Sequence, residues 1–182
     1  MRLRYLFVLL ALGACSSATS SDTPAGAAAA TGDFVTWTQD GKEYRADNVS
    51  AYTYQGMQCA SVNGGMVDEK SGMAERVLTL TLANADLKPG TYSLSQTKEA
   101  KAVTAGSLLL NEASGPHSFS TMAGPAATNG TITLTECDPQ KQQLAGTFQF
   151  TAQALTQGET GTQHITAGAF RITRLQAAPE GM

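Results

Sequence analysis

The feature that most constrains this chain is a two-residue alternation repeated along most of its length. Leu78, Leu80 and Leu82 alternate with Val77, Thr79 and Thr81, and Tyr92 and Leu94 with Thr91, Ser93 and Ser95. Ile132 and Leu134 alternate with Thr131, Thr133 and Thr135, and Phe148, Phe150 and Ala152 with Thr147, Gln149 and Thr151. In a strand successive side chains point to opposite faces, so each run buries one apolar row and turns hydroxyls to water. The pattern therefore predicts half-buried antiparallel strands. Asp40-Gly41, Asn63-Gly64, Lys88-Pro89-Gly90 and Asn129-Gly130 read as turns between them. Ile165 and Ala167 have odd parity whereas Phe170 and Ile172 have even parity, which predicts a bulge near Gly168 if all four face the core. Segment 97–112 mixes helix formers with Val103-Thr104 and Leu108–Leu110, and reads mainly as strand. The expectation is an all-β domain, an antiparallel β-sandwich or a small barrel, with about 7–10 strands.

The first 32 residues have a different character. Arg2 and Arg4 precede about 8 apolar residues, Tyr5 to Leu12, which matches a secretory signal and falls well short of a membrane span. Leu12-Gly13-Ala14-Cys15 resembles the bacterial lipobox, in which the cysteine receives a diacylglycerol thioether and cleavage then frees its amine. That resemblance implies lipid attachment at Cys15, with the membrane as a partner through the anchor. Ser16, where the inner-membrane retention signal carries Asp, points to the outer membrane of a bacterial envelope. Residues 16–32 contain no aromatic or branched aliphatic side chain and read as a linker, with a root-mean-square span of roughly 20–25 Å. The expected organisation is a signal peptide over 1–14, lipidated Cys15 and a flexible linker over 15–32, the β-domain over 33–176 and a tail over 177–182.

Loss of Arg2 and Arg4 with the signal takes the net charge from −3 to −5, opposite to what nucleic-acid binding requires. With Cys15 lipidated, Cys59 and Cys137 remain as a candidate disulfide in an oxidising compartment. Such a bridge would close a loop of about 79 residues and contribute up to about 4.5 kcal/mol. Two unpaired thiols, each buried as a small hydrophobe, are the alternative.

Catalytic and cofactor motifs are scarce. His117 and His164 are the only histidines, and no HxH, HExxH or CxxC spacing accompanies them, so no metal or other cofactor is expected. There is no GxSxG elbow, and Gly64-Gly65 lacks the Lys-Ser/Thr continuation of a phosphate loop. Asp68, Glu69 and Glu112 are the obvious acids, and the first two sit in a loop-like run. What remains is a surface: the ladders Thr79/Thr81 and Thr131/Thr133/Thr135, whose hydroxyls suit carbohydrate or ordered water and equally suit a plain solvent face. Trp37, Tyr44, Tyr52 and Tyr54 suit a binding platform or, more simply, the core.

Gly130-Thr-Ile-Thr-Leu-Thr-Glu-Cys-Asp138, Leu144-Ala-Gly-Thr-Phe-Gln-Phe-Thr-Ala152 and Ile165-Thr-Ala-Gly-Ala-Phe170 together resemble a pattern of small bacterial lipoproteins that carry a domain of unknown function. Asp40-Gly-Lys-Glu-Tyr44 is similar to the family's first turn, and Ala145 stands where members often have Ser. The resemblance implies an all-β domain and carries over no catalytic residue. The combined expectation is a lipid-anchored envelope module, leaning to non-enzymatic binding or structure, with its protein, glycan or small-molecule ligand open. A lipocalin-like carrier with a cavity lined by the aromatics is one alternative. An envelope hydrolase gathering His117 or His164 with a carboxylate is the other.

Overall fold

The computed structural model describes residues 32–54, 59–68, 72–83, 88–94, 104–123, 129–138, 140–156 and 158–177, with only the backbone of Tyr54, Cys59, Ala60 and Ala83. The signal, Cys15 and nearly all of the linker lie outside the described residues, as do residues 97–103. The strands in chain order are β1 (Phe34–Gln39), β2 (Lys42–Ala46), β3 (Asn48–Tyr54), β4 (Cys59–Val67), β5 (Ala74–Ala83) and β6 (Gly90–Ser93). They continue as β7 (Ala105–Glu112), β8 (Gly115–Ser120), β9 (Gly130–Asp138), β10 (Gln143–Ala154), β11 (Thr162–Ile172) and β12 (Gln176–Ala177).

The domain is all-β, as the alternation predicts, but the twelve strands among the described residues exceed the expected 7–10 and form one sheet. The order is β12-β3-β4-β5-β7-β8-β10-β11-β1-β2, antiparallel throughout except for β12 beside β3, and the sheet does not close into a barrel. Strand β10 is the branch point. Its first eight residues pair with β9, which carries β6, while Gln153 and Ala154 pair with β8. Asp47 alone joins β2, at one end of the ladder, to β3, next to the other end, so the sheet folds over itself. Strands β1 and β2 accordingly lie against β4, which is not their neighbour in the ladder.

The predicted inward rows form the core: Leu78, Leu80, Leu82, Ile132, Leu134, Phe148, Phe150, Ile165, Phe170 and Ile172 are all buried, Val35 and Trp37 of β1 join them, and Ala167 is exposed instead. Asp40 and Gly41, with φ of 51° and 77°, make the two-residue turn of the β1–β2 hairpin, where positive φ at both positions matches the strand twist. Asn63-Gly64 is not a turn. It lies within β4, where a Cβ on Gly64 would stand 2.8 Å from Val35 Cβ, so the residue permits close approach of the two facing halves. Segment 97–112 is strand where it is described, as β7 from Ala105.

The bulge expected near Gly168 is present. Between Thr36↔Ala169 and Thr38↔Thr166, two residues of β11 oppose Trp37, and the positive φ of 47° falls on Ala167 rather than on the glycine. Gly168 serves contact instead. It pairs with Phe148, whose ring lies over it, and Gly146 pairs with Phe170 in the same way. A Cβ on Gly168 would sit 2.5 Å from the Phe148 ring, and one on Gly146 would sit 2.4 Å from the Thr133 carbonyl and 2.9 Å from the Phe170 ring. The motifs Gly-Thr-Phe-x-Phe and Ile-Thr-x-Gly-x-Phe are thus two halves of one reciprocal lock, each strand's glycine receiving the other's ring.

Candidate functional site

The outward rows of six adjacent strands carry the candidate site. Register aligns Thr91 on β6, Thr133 on β9, Thr147 on β10, Ala169 on β11, Thr36 on β1 and Arg45 on β2 in one line across the sheet. A second line runs through Ser93, Thr131 and Gln149, crosses the β11 bulge, and continues to Thr38 and Glu43. Because strands lie about 4.8 Å apart, each line presents hydroxyl or amide groups at that spacing on β6, β9 and β10 and again on β1, interrupted at β11 by Ala169 and by the bulge. From β9 to β2 they border an open trough of about 1080 Å³, with Ala167 and Ala169 among its lining residues. The bulge and these two small side chains account for the depression, since longer side chains at those positions would fill it.

The groups along the trough are neutral until β2. There Arg45 lies over the Phe34 ring, 5.0 Å from its centroid, and pairs with Asp47 at 2.6 Å. This cation–π contact and ion pair fix the guanidinium at the trough's end, beside Glu43 in the neighbouring line. Thr91 and Thr133 share a hydroxyl hydrogen bond of 3.0 Å, and the Thr36 hydroxyl donates to the Ala169 carbonyl at 3.4 Å. A hydroxyl both donates and accepts, so the lines suit a ligand that itself carries hydroxyls.

The sequence-predicted residues distribute unevenly over this geometry. Thr131 and Thr133 belong to the trough. Thr135 leaves the line because two residues, Thr135 and its neighbour Glu136, span the register break between Gly146↔Leu134 and Ala145↔Glu136. Thr79 and Thr81 lie on β5 in the other half of the sheet, and the Thr79 hydroxyl donates to Asn63 Oδ1 at 2.9 Å. Trp37 and Tyr44 are no platform: they stack at 5.5 Å, Trp37 is buried, and the Arg76 guanidinium covers Tyr44 at 4.4 Å. Arg76 also donates to Gln39 Oε1, and the Gln39 amide donates to Gln163 Oε1 at 2.6 Å. Tyr52 is half-buried on β3, and the side chain of Tyr54 lies outside the described residues.

His164 on β11 contacts Thr151 Oγ1 at 3.2 Å, while His117 on β8 contacts Ser114 and Glu159, so the two histidines belong to separate clusters. Glu112 ends β7, Asp68 follows β4, and Glu69 lies outside the described residues. Among the described residues no group of three or more His, Cys, Asp or Glu side chains is arranged to hold a metal ion. The trough counts Trp37 and Tyr44 among its lining residues, but its polar groups come from the threonine rows. Its signal in the sequence was Thr36-x-Thr38 and Thr147-x-Gln149, the same alternation read on its polar side.

Cys137 carries a free thiol among the described residues; the sequence left it as half of a candidate bridge with Cys59 or as an unpaired thiol, and the Cys59 side chain lies outside the described residues. Cys137 has the parity opposite to Ile132 and Leu134, yet the β9 bulge turns it inward: it pairs with Leu144 and packs against the core. Burial, with the Asp138 charge as a lesser cause, pushes the thiol pKa up. Without reductant, native protein should therefore react with iodoacetamide at Cys137 more slowly than the chain unfolded in urea, which should alkylate fully. An unfolded chain that takes up nothing until reduced would establish a bridge instead.

A family model described as a domain of unknown function (DUF6252) matches residues 34–172. No curated protein and no solved structure matches the chain. The matched span runs from the first residue of β1 to the last of β11 and includes both halves of the Gly–Phe lock.

Proposed function

The chain belongs to the family described as a domain of unknown function (DUF6252), and on that premise we propose that it is a lipid-anchored envelope module whose outer trough binds a neutral, polyhydroxylated ligand. The observation that carries this reading is the pair of register-aligned lines of hydroxyl and amide groups bordering the trough. Cys15 would supply the anchor and residues 16–32 the reach. The carrier alternative has less support. A Cβ on Gly106 would stand 2.8 Å from the Phe150 ring, so at that point, as at Gly64, the facing halves are in contact.

Envelope and storage polysaccharides are the ligand class that matches repeated neutral hydroxyls. The test is binding of the full-length protein, in detergent, to a panel of neutral polysaccharides including dextran, mannan and β-glucan. The double substitution Thr133→Val and Thr147→Val removes two hydroxyls and preserves side-chain shape. At about 0.5–1.5 kcal/mol per neutral hydrogen bond, affinity should fall roughly 5- to 150-fold. Thr81→Val, in the other half of the sheet, should leave it unchanged. Equal binding by all three proteins would refute the trough as the site.

A further inference from the structure

We infer that Ser114, His117 and Glu159 form a second site, a base-activated serine able to accept an acyl group from small uncharged esters. Ser114 Oγ lies 2.9 Å from His117 Nε2, and His117 Nδ1 lies 3.2 Å from Glu159 Oε1. The protonation pattern follows from the partners. An ionised carboxylate only accepts hydrogen bonds, so Glu159 holds the proton of a neutral imidazole on Nδ1. Nε2 is then the acceptor, and the Ser114 hydroxyl donates to it. Nucleophile, base and orienting acid thus stand in series, the arrangement that activates a serine.

Two distant elements build it. Ser114 lies in the β7–β8 turn and His117 follows on β8. Glu159 comes from the β10–β11 loop, held to β8 by the Leu155 amide donating to the Ser118 carbonyl at 2.8 Å. Ser114 is exposed, so an ester carbonyl can reach it. Glu112 closes the same hairpin, and with Glu159 it disfavours anionic esters.

In the proposed step Ser114 Oγ bonds to the ester carbonyl carbon as its proton passes to His117 Nε2. The tetrahedral intermediate then expels the alcohol oxygen, which takes the proton from Nε2. Water enters by the same route, releases the carboxylic acid and restores Ser114. Glu159 is a positioning residue.

The test treats the full-length protein with an uncharged alkyl fluorophosphonate, which forms an Oγ–P bond as fluoride leaves, and locates the adduct by peptide mass spectrometry. Ser114 should be labelled, and His117→Ala should slow labelling at least about 100-fold without moving the thermal unfolding midpoint. His117→Gln serves if His117→Ala does not fold. Glu159→Gln should slow labelling, and Glu159→Asp should recover part of the loss. No adduct at Ser114, or equal rates with and without the imidazole, would overturn the proposal and mark Ser114 as an ordinary exposed hydroxyl. Ser114→Ala should leave polysaccharide binding intact, so the two sites fail independently.

Discussion

Gly168→Ala should destabilise the domain by about 3 kcal/mol, at the upper end for overpacking, because the new methyl would meet a buried ring at 2.5 Å. Phe148→Ala should cost about 3–5 kcal/mol through the cavity it leaves. The informative quantity is their coupling. With Phe148 already alanine, the methyl at position 168 enters the vacated space, and its added cost should drop below about 1 kcal/mol. Urea unfolding of the four proteins measures this directly. Gly65→Ala is the control: its Cβ would approach nothing nearer than 3.8 Å and its φ is not positive, so the cost should be small. Additive losses at 148 and 168 would mean that the glycine is there for some reason other than the ring.

That lock also shows what the sequence reveals and what it hides. The alternation in β5, β9 and β10 is local information, and it identified the inward rows correctly because one buried face imposes a period of two. Asp40-Gly41 was legible for the same reason, since a two-residue hairpin turn has its own residue requirements. Asn63-Gly64 has the same appearance, but its role is set by Val35 on another strand, which no local pattern records. Cys137 has outward parity but packs inward, because a bulge inserts one residue and reverses parity without a distinctive residue type at that point. The trough was half legible. Each threonine row was visible, but only register brings β9, β10, β11, β1 and β2 side by side. Ser114 and His117 are three residues apart, whereas Glu159 joins them only through the fold.

Cys15→Ser should move the protein from the membrane fraction to the soluble fraction almost completely. Each buried methylene contributes about 0.8 kcal/mol, a single acyl chain holds a protein only marginally, and two or three hold it stably. In the proposed anchor a diacylglycerol thioether would carry two of those chains, and without a cysteine sulfur neither could attach. A third would go to the amine that cleavage exposes, so the substitution would remove all of them together. Growth in labelled palmitate, followed by fractionation, reads both consequences at once. Labelled, membrane-bound Cys15→Ser protein would show that the anchor lies elsewhere. The β-domain itself should fold identically in both proteins, because the lock, the core and the trough all lie beyond residue 33.

If the hydroxyl lines of the outer face form a binding surface, residue-resolved amide shifts will locate it. The protein would be titrated with the best-binding neutral polysaccharide of the panel and followed by NMR. Saturable shifts should concentrate at Thr36, Thr38, Thr131, Thr133, Thr147 and Gln149, with β5 unaffected. Shifts confined to β5 or the β7–β8 turn, or no shifts with any polysaccharide that binds, would contradict it.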